Sequence, residues 1–582
     1  MDPKPLYTLG LSCFYHDSAA CILRNGELLA AAGEERFTRI KHDDHFPKNA
    51  VDYCLKEAGI TVNDLNYVCF YEKPFLKFER LLKSYIHTWP RGLVSFVKSM
   101  RVWLGKKLWM GSVIKKNLGW KGEICYVPHH LSHAASAYYP SPFSEAVILT
   151  LDGVGEFSTA SIGYAKRTEL LIDEELVFPH SLGLLYSAVT YYMGFKVNSA
   201  EYKVMGLSPY GKPIFVDQIK KVVKVFDDGS IKLDMRYFAY EYGLTMITNE
   251  FEKLFGHPTR HEGEKLEQFH MDMAASLQAI TEEIVLKMAN HAYEKHPCDN
   301  LCLAGGVALN CVANSRVLND GKFKNLFIFP AAGDAGGAVG AATYVYHHIL
   351  KKTDRHPLKN VYLGPQYSHK EIQNLLKKHQ IPFEHLEDEP LFTKIADYIN
   401  EDKVVGLFQG RMEFGPRALG NRSILGDARK KENWQRVNLK IKFRESFRPF
   451  APTVMEDHLS EVYDLKVPTQ YMLLTAQTKS KDIPATTHVD GSARIQSVSS
   501  EQNHRYYRII EEFYKKTGCP VVINTSFNVR GEPIVCSPED ALKCFLRTDI
   551  DILVLENCVI HANQVDKTTL RSQFVLETFG DD

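Results

Sequence analysis

The stretch 8–33, TLGLSCFYHDSAACILRNGELLAAAG, decides the fold. It reads as a strand over 8–13, a short polar loop carrying His16 and Asp17, a second strand over 18–24, an Asn25-Gly26 turn and a third strand over 27–33. Asn-Gly between apolar runs signals a tight hairpin, because both residues tolerate the positive φ that such a turn requires. The plan returns further on. An apolar strand at 146–151 feeds the loop Asp152-Gly153-Val154-Gly155-Glu156, then a strand at 157–165, a charged turn and a strand at 170–173. Two such units indicate a duplicated α/β fold.

A strand that runs into a polar, glycine-bearing loop and then a hairpin, present twice, is the arrangement of actin-like ATPases, whose two loops face the nucleotide phosphates from opposite sides. Two more strands, at 300–304 and 325–329, run into Gly305-Gly306-Val307-Ala308-Leu309-Asn310 and into a segment holding Gly333, Asp334, Gly336 and Gly337. Helices dominate 188–292, with a long one expected over 268–294. The polar segment 351–366, with Pro357, Gly364 and Pro365, is the best linker. It separates an N-terminal domain, 1–355, from a C-terminal one, 366–582. Strands at 404–409, 520–523 and 550–555 and a helix at 541–547 make the second part another α/β unit.

The 582 residues are too many for one ordinary core and fit two to four domains. With 45% hydrophobic and 24% charged residues the composition is that of a packed globular enzyme. Lys+Arg and Asp+Glu number 70 each, so no broad basic field exists to hold a nucleic acid. The N-terminus lacks the uninterrupted apolar run of a secretory signal, and no apolar run reaches membrane-spanning length. Twelve cysteines lie scattered, several in apolar strands, which suits reduced core thiols and a cytoplasmic location. Cys298 and Cys302 have half the spacing of a metal knuckle but no second pair, so they are assigned to the core.

The segment 76–121 departs from the neutral average. It holds eleven Lys or Arg and one acid, Glu79, with Trp103, Leu104, Leu108 and Trp109 at helical spacing. We expect an inserted pair of helices with solvated basic faces; a membrane surface or an acidic ligand is the alternative.

His129 and His133 stand four apart, so on a helix both imidazoles leave one face and can share a cation. The glutamate of a zinc-protease motif is missing between them, which removes the argument for peptide hydrolysis. Asp152 ends one strand and Asp334 follows another, and strand ends in α/β folds converge on one cleft. Two imidazoles and two carboxylates suit iron, manganese or zinc better than magnesium. Gly153, Gly155, Gly305, Gly306 and Gly333 all follow strands, where bare backbone amides approach phosphate or ribose oxygens. His16, in one of the two loops expected to face the nucleotide, is a candidate base or phosphate contact. In the C-terminal half, Arg417, Arg422, Lys442, Arg444, Arg448 and Arg530 sit among glycines, prolines and aromatics, and arginine in rigid turns suits bidentate anion binding.

Taken together, GLSCFYHDSAA, EERFTRIKHD, PHHLSHAASAYY, TLDGVGE, AEYKVMGLSPYG, LAGGVALN, AAGDAGGAVG, GRMEFGPRALGNRSIL, FRESFRPFAP and NTSFNVRGEPIV resemble the O-carbamoyltransferases of secondary metabolism and nodulation. The resemblance covers nearly the whole chain. It implies an actin-like, duplicated ribonuclease H-like domain joined to a C-terminal α/β domain similar to threonylcarbamoyl-adenylate synthases. By the same resemblance, carbamoyl phosphate and ATP give carbamoyl adenylate in the second domain, and the first transfers the carbamoyl group to a hydroxyl of a small-molecule natural product.

Carried over residue by residue, His129, His133, Asp152 and Asp334 match the family's metal set, with Fe(II) expected. His16 matches the catalytic histidine, with Lys41 near the acceptor or adenylate. Gly153, Gly155, Lys203, Gly305, Gly306, Val307, Asn310 and Gly333 are assigned to the nucleotide, and Arg417, Lys442, Arg448 and Arg530 to carbamoyl phosphate, with Arg444, Arg494 and Arg422 as further candidates. The expected partners are the hydroxylated acceptor and a second copy of the chain in a homodimer, with no nucleic acid and no membrane insertion. The competing reading is an actin-like ATPase or kinase whose C-terminal half only mediates interaction.

Overall fold

The computed structural model describes residues 4–105, 107–442 and 447–580. The chain divides into two units. Unit 1 takes the chain up to Glu34 and His42–Leu358; unit 2 takes Glu35–Lys41 and the chain from Lys359 onward.

Unit 1 contains the repeated plan. Its first sheet has β1 (Tyr7–Ser12), β2 (Ala19–Arg24), β3 (Glu27–Gly33), β4 (Tyr67–Phe70) and β5 (Ile124–Tyr126) in the order β3-β2-β1-β4-β5. The hairpin β2-β3 turns on Asn25 and Gly26, at φ 49° and 80°, the left-handed pair that such a turn demands. β4 and β5 then run parallel to β1.

The second sheet has β6 (Glu145–Leu151), β7 (Ser158–Lys166) and β8 (Glu169–Val177), and the small hairpin β9 (Val223–Val225) and β10 (Ile231–Leu233) stands apart from it. Next come β11 (Asn300–Ala304) and β12 (Asn325–Ile328), giving the order β12-β11-β6-β7-β8. β6-β7-β8 is antiparallel, and β11 and β12 are parallel to β6. Each sheet is therefore a three-strand meander extended by two parallel strands beside its first strand, the ribonuclease H-like order, occurring twice as in the actin-like architecture. β1 and β6 are central and buried on both faces, which explains their continuous apolar runs.

Two helices position the functional groups, His129–Tyr138 and Asp334–Tyr344. They approach each other and β1 closely because the contact points lack side chains. A Cβ on Gly340 would stand 1.7 Å from the Ser132 carbonyl oxygen, and one on Gly10 would stand 2.0 Å from that of Ala338. The long helix Gln268–Lys295 lies where the periodicity puts it. The basic insertion forms three helices, Pro74–Thr88, Leu93–Gly105 and Met110–Leu118, where a pair was expected. Pro90 and Gly92 (φ 81°) end the first, Gly105 ends the second and Gly119 (φ 71°) caps the third. Among the described residues no helix is long and apolar enough to cross a membrane. All twelve cysteines are free, and Cys302 is buried in β11.

Unit 2 is built on one mixed sheet. Its strands are β13 (Glu384–His385), β14 (Val405–Phe408), β15 (Arg422–Asp427), β16 (Ala451–Met455), β17 (Leu474–Gln477), β18 (Ser492–Val498), β19 (Val521–Ser526), β20 (Ile552–Leu555) and β21 (Cys558–His561). Their order is β13-β21-β20-β14-β15-β19-β16-β18-β17. Only β14-β20 and β16-β18 pair in parallel. Glu35–Lys41, which the sequence reading kept in the N-terminal domain, belongs here for a plain reason. The Arg39 guanidinium donates to Glu532 Oε1 at 3.0 Å and to the carbonyls of Pro533 and Ile534 at 2.8 Å, and Arg36 donates to the Gly415 carbonyl at 2.9 Å. Phe37 packs on Met412, Ala418, Ile534 and Cys536.

Candidate functional site

In unit 1 the i, i+4 spacing on the helix His129–Tyr138 brings the two imidazole Nε2 atoms to 3.1 Å. No side chain of the preceding Pro128 caps that helix; the Glu156 carboxylate does so from outside. It accepts the His129 backbone N–H at 3.0 Å and the Lys73 N–H at 2.7 Å. Asp152 follows the end of β6, and Asp334 opens the helix Asp334–Tyr344. His129 Nε2 lies 3.0 Å from Asp152 Oδ2 and 3.6 Å from Asp334 Oδ1, and His133 Nε2 lies 3.9 and 3.5 Å from the same atoms. The Gly306 N–H donates to Asp152 Oδ1 at 3.0 Å, which leaves Oδ2 turned to the histidines.

This arrangement fits a metal ion. One donor atom from each of the four residues lies within 4.8 Å of all the others, and bonds of about 2.0–2.2 Å to a common cation put neighbouring donors about 3–3.5 Å apart. A buried and a half-buried carboxylate facing two buried imidazoles are also a donor set that a divalent cation neutralises. Burial alone raises the Asp152 and Asp334 carboxyls, but the neighbouring imidazoles hold both below the usual carboxylate range. Burial lowers His129, yet Asp334 and Asp152 outweigh it and raise its pKa to about 9. His130, pushed down to about 3 by burial and by the neighbouring His129 charge, stays outside the cluster and bonds Thr150 Oγ1 at 2.6 Å.

His16 faces this cluster, its Nε2 3.7 Å from Asp334 Oδ2. Its loop is held in an unusual shape, with Phe14 and Asp17 at φ 75° and 54°, by the bonds Phe14 N–H to Asp44 O and Ser18 N–H to Asp43 O. Asp17 bridges two imidazoles, His16 Nδ1 at 3.1 Å and His42 Nδ1 at 2.7 Å, and His42 Nε2 reaches Ser199 Oγ at 3.2 Å. Burial works against protonation of His16, but Asp334 and Asp17 together raise its pKa to about 10.

The glycines divide by surroundings. Gly153 and Gly333 have open space where a side chain would stand. Gly305, at φ 92°, is obligatory because a Cβ would meet the Leu151 carbonyl oxygen at 2.2 Å. A Cβ on Gly155 would stand 3.0 Å from His129 and His130, so this glycine serves packing of the cluster. The Asn310 side chain caps the helix Cys311–Asp320 through Ala313 N–H and exchanges hydrogen bonds with Gln278 at 3.0 and 3.2 Å. Val307 follows Gly306 in the same turn, and Lys203 is buried with its Nζ 5.8 Å from the centre of the Phe195 ring.

Unit 2 carries the cationic groups on loops and strands that are neighbours in the sheet. Arg417 lies between β14 and β15, Arg448 before β16, Arg494 in β18 and Arg530 after β19, all half-buried. Two of the candidate cations have partners within the chain. Arg422 is fully buried, donating to the carbonyls of Gln409, Gly410, Asn421 and Pro365 with its guanidinium 3.6 Å from the centre of the Phe408 ring. It is a structural cation. Lys442 Nζ donates to the Ser526 and Asn528 carbonyls at 2.7 and 2.8 Å and so pins the loop after β19. Arg444 lies outside the described residues.

Sequence reasoning missed three supports. Glu156 caps the metal-site helix, and Asp17 with His42 orients His16. Buried Glu413 accepts the backbone N–H groups of Leu419, Asn421 and Arg422 at 2.7, 2.9 and 3.3 Å and shapes the loop bearing Arg417. All lie inside quoted motifs, but nothing in a sequence separates a buried acid from a solvated one.

Two family models match, carbamoyltransferase N-terminus over residues 7–343 and carbamoyltransferase C-terminus over residues 396–562. An uncharacterised protein of Synechocystis is 50% identical, covering 95% of this chain and 96% of the relative. The nodulation protein NolNO of Sinorhizobium fredii is 37% identical over 94% of this chain and 79% of its own. An uncharacterised protein of Methanocaldococcus jannaschii is 30% identical over 95% and 99%.

Proposed function

We propose, from the premise that this chain belongs to the carbamoyltransferase family, that it is an ATP-dependent O-carbamoyltransferase acting in two steps on a hydroxyl of a small natural product. The observation that carries the reading is the convergence of His129, His133, Asp152 and Asp334 beside His16, with the open backbone of Gly153 and Gly333 in the same unit.

In the first step unit 2 takes carbamoyl phosphate and ATP. Water releases the phosphate, the carbamate oxygen bonds to the α-phosphorus, and the bond to the β-phosphate oxygen breaks as pyrophosphate leaves. Arg417, Arg448, Arg494 and Arg530 bind the anionic donor, with Lys442 fixing the loop before Arg530 and Lys41 contacting the adenylate. In the second step the acceptor oxygen bonds to the carbamoyl carbon, the bond from that carbon to the adenylate oxygen breaks, and AMP leaves. The hydroxyl proton passes to His16 Nε2.

A divalent cation, with Fe(II) expected from the family resemblance, held by the two histidines and two aspartates would offset charge on the nucleotide phosphate. Backbone amides at Gly153 and Gly333 and the Lys203 ammonium add to that field. His16 has to be neutral to accept a proton. Asp334 is one of the two carboxylates that hold it charged, and once Asp334 is engaged in ligation that pull weakens; Asp17, shared with His42, continues to orient the ring.

The test is product analysis. AMP and pyrophosphate are expected only when carbamoyl phosphate is supplied with ATP, and a mass screen of hydroxylated acceptors then identifies the carbamoylated product. Steady ADP release without carbamoyl phosphate would replace this reading with that of an ATPase or kinase.

A further inference from the structure

The insertion in unit 1 has an outer surface unlike that of the rest of the chain. Among the described residues, ten of the twenty-one exposed large hydrophobics fall between Phe75 and Trp109. Phe75, Ile86, Trp89, Val97 and Trp109 are 72, 76, 66, 60 and 61% exposed. They are also ordered. Phe75 and Ile86 share one face of the first helix, and Leu93, Val97 and Leu104 share one face of the second, opposite the inward-facing Ser95. Four of the five tryptophans of the chain lie in this segment. Lys83, Arg91, Lys98, Arg101, Lys116 and Lys121 are exposed around it.

We propose that this face docks on an anionic lipid bilayer, lying in the interface without crossing it. The combination decides among occupants. A second copy of the chain would bring the same like-charged face against itself in a two-fold contact, and the six exposed cations of each copy repel there. A nucleic acid satisfies the cations but offers Val97, Leu104 and Ile86 no apolar partner. A bilayer with acidic headgroups takes both, the aliphatic and tryptophan side chains at the acyl boundary and the lysines and arginines among the phosphates.

The opposite side of the insertion is tied to the site. Arg80 donates to the Gly155 carbonyl at 2.9 Å, and Lys77 Nζ stands 4.4 Å from the centre of the Tyr15 ring beside His16. Docking therefore leaves the insertion between the lipid and the unit 1 site, whatever chemistry that site performs.

The experiment is co-sedimentation of the full chain with vesicles of phosphatidylcholine alone and of phosphatidylcholine with phosphatidylglycerol, with tryptophan fluorescence recorded alongside. Binding to the anionic vesicles is expected, with a blue shift. Lys98→Ala with Arg101→Ala should weaken it about tenfold, and Val97→Asp with Leu104→Asp should lose it. Both variants substitute exposed positions, and unchanged thermal melting verifies their fold. No partition onto anionic vesicles overturns the proposal. So does equal binding by Val97→Asp with Leu104→Asp, a dimer in light scattering that this variant dissolves, or retention of RNA in preference to vesicles.

Discussion

Unit 1 gathers two histidines and two aspartates within 4.8 Å, whereas unit 2 offers its candidate ligand arginines from the loops and strands of a single sheet. In unit 1 the charge is movable: His129 and His16 have pKa values near 9 and 10 against an ordinary 6.5, and their protonation depends on whether Asp152 and Asp334 are engaged elsewhere. In unit 2 the charge is fixed, since guanidinium groups keep theirs across the working range of pH. A site of the first kind suits cation ligation and proton transfer; one of the second suits capture of an anionic donor.

The largest effect should come from breaking unit 1. Asp334→Asn removes one of four metal donors and the partner of His16, so metal content should fall and transfer should drop by about 10²–10³-fold or more. Metal analysis and product formation check both. Arg417→Ala should lower AMP and pyrophosphate formation by about 10²-fold while leaving the metal content intact. Loss of metal in that variant would undo the separation between the two regions.

A smaller, sharper contrast lies in pH. In chelator-treated protein, His129 and His16 have folded pKa values raised above 6.5, so their contribution to stability is complete below pH 6.5. It is lost as pH rises through about 9 and 10. Melting temperature should therefore fall across that window. Metal restored to the site should oppose the fall, because ligation needs the neutral imidazole. Arg417→Ala should leave the slope unchanged.

Much of this was readable in the sequence because it is local. Asn25-Gly26 announced its hairpin, β1 and β6 their burial, and the i, i+4 histidines their shared face. Asp152 and Asp334 could be joined to them because strand ends in α/β folds share a cleft. What escaped depends on distant partners. Glu35–Lys41 joins unit 2 through Arg39 and Glu532, almost five hundred residues apart. Arg422 looks like its neighbour Arg417 in a glycine-rich loop, and only the ring of Phe408 and four carbonyls make it structural. Lys442 is assigned to loop support by Ser526 and Asn528. The insertion was legible in charge but not in exposure, since its apolar spacing reads equally as core.

The most direct test of a two-step division is a rapid-quench experiment on His16→Ala, with ATP, an acceptor and carbamoyl phosphate labelled at the carbamoyl carbon. The variant should form carbamoyl adenylate and pyrophosphate at the normal rate, with the label held on the adenylate and transfer to the acceptor lowered by about 10²–10⁴-fold. Equal loss of pyrophosphate formation and transfer, or label reaching the acceptor without ever residing on AMP, would contradict it.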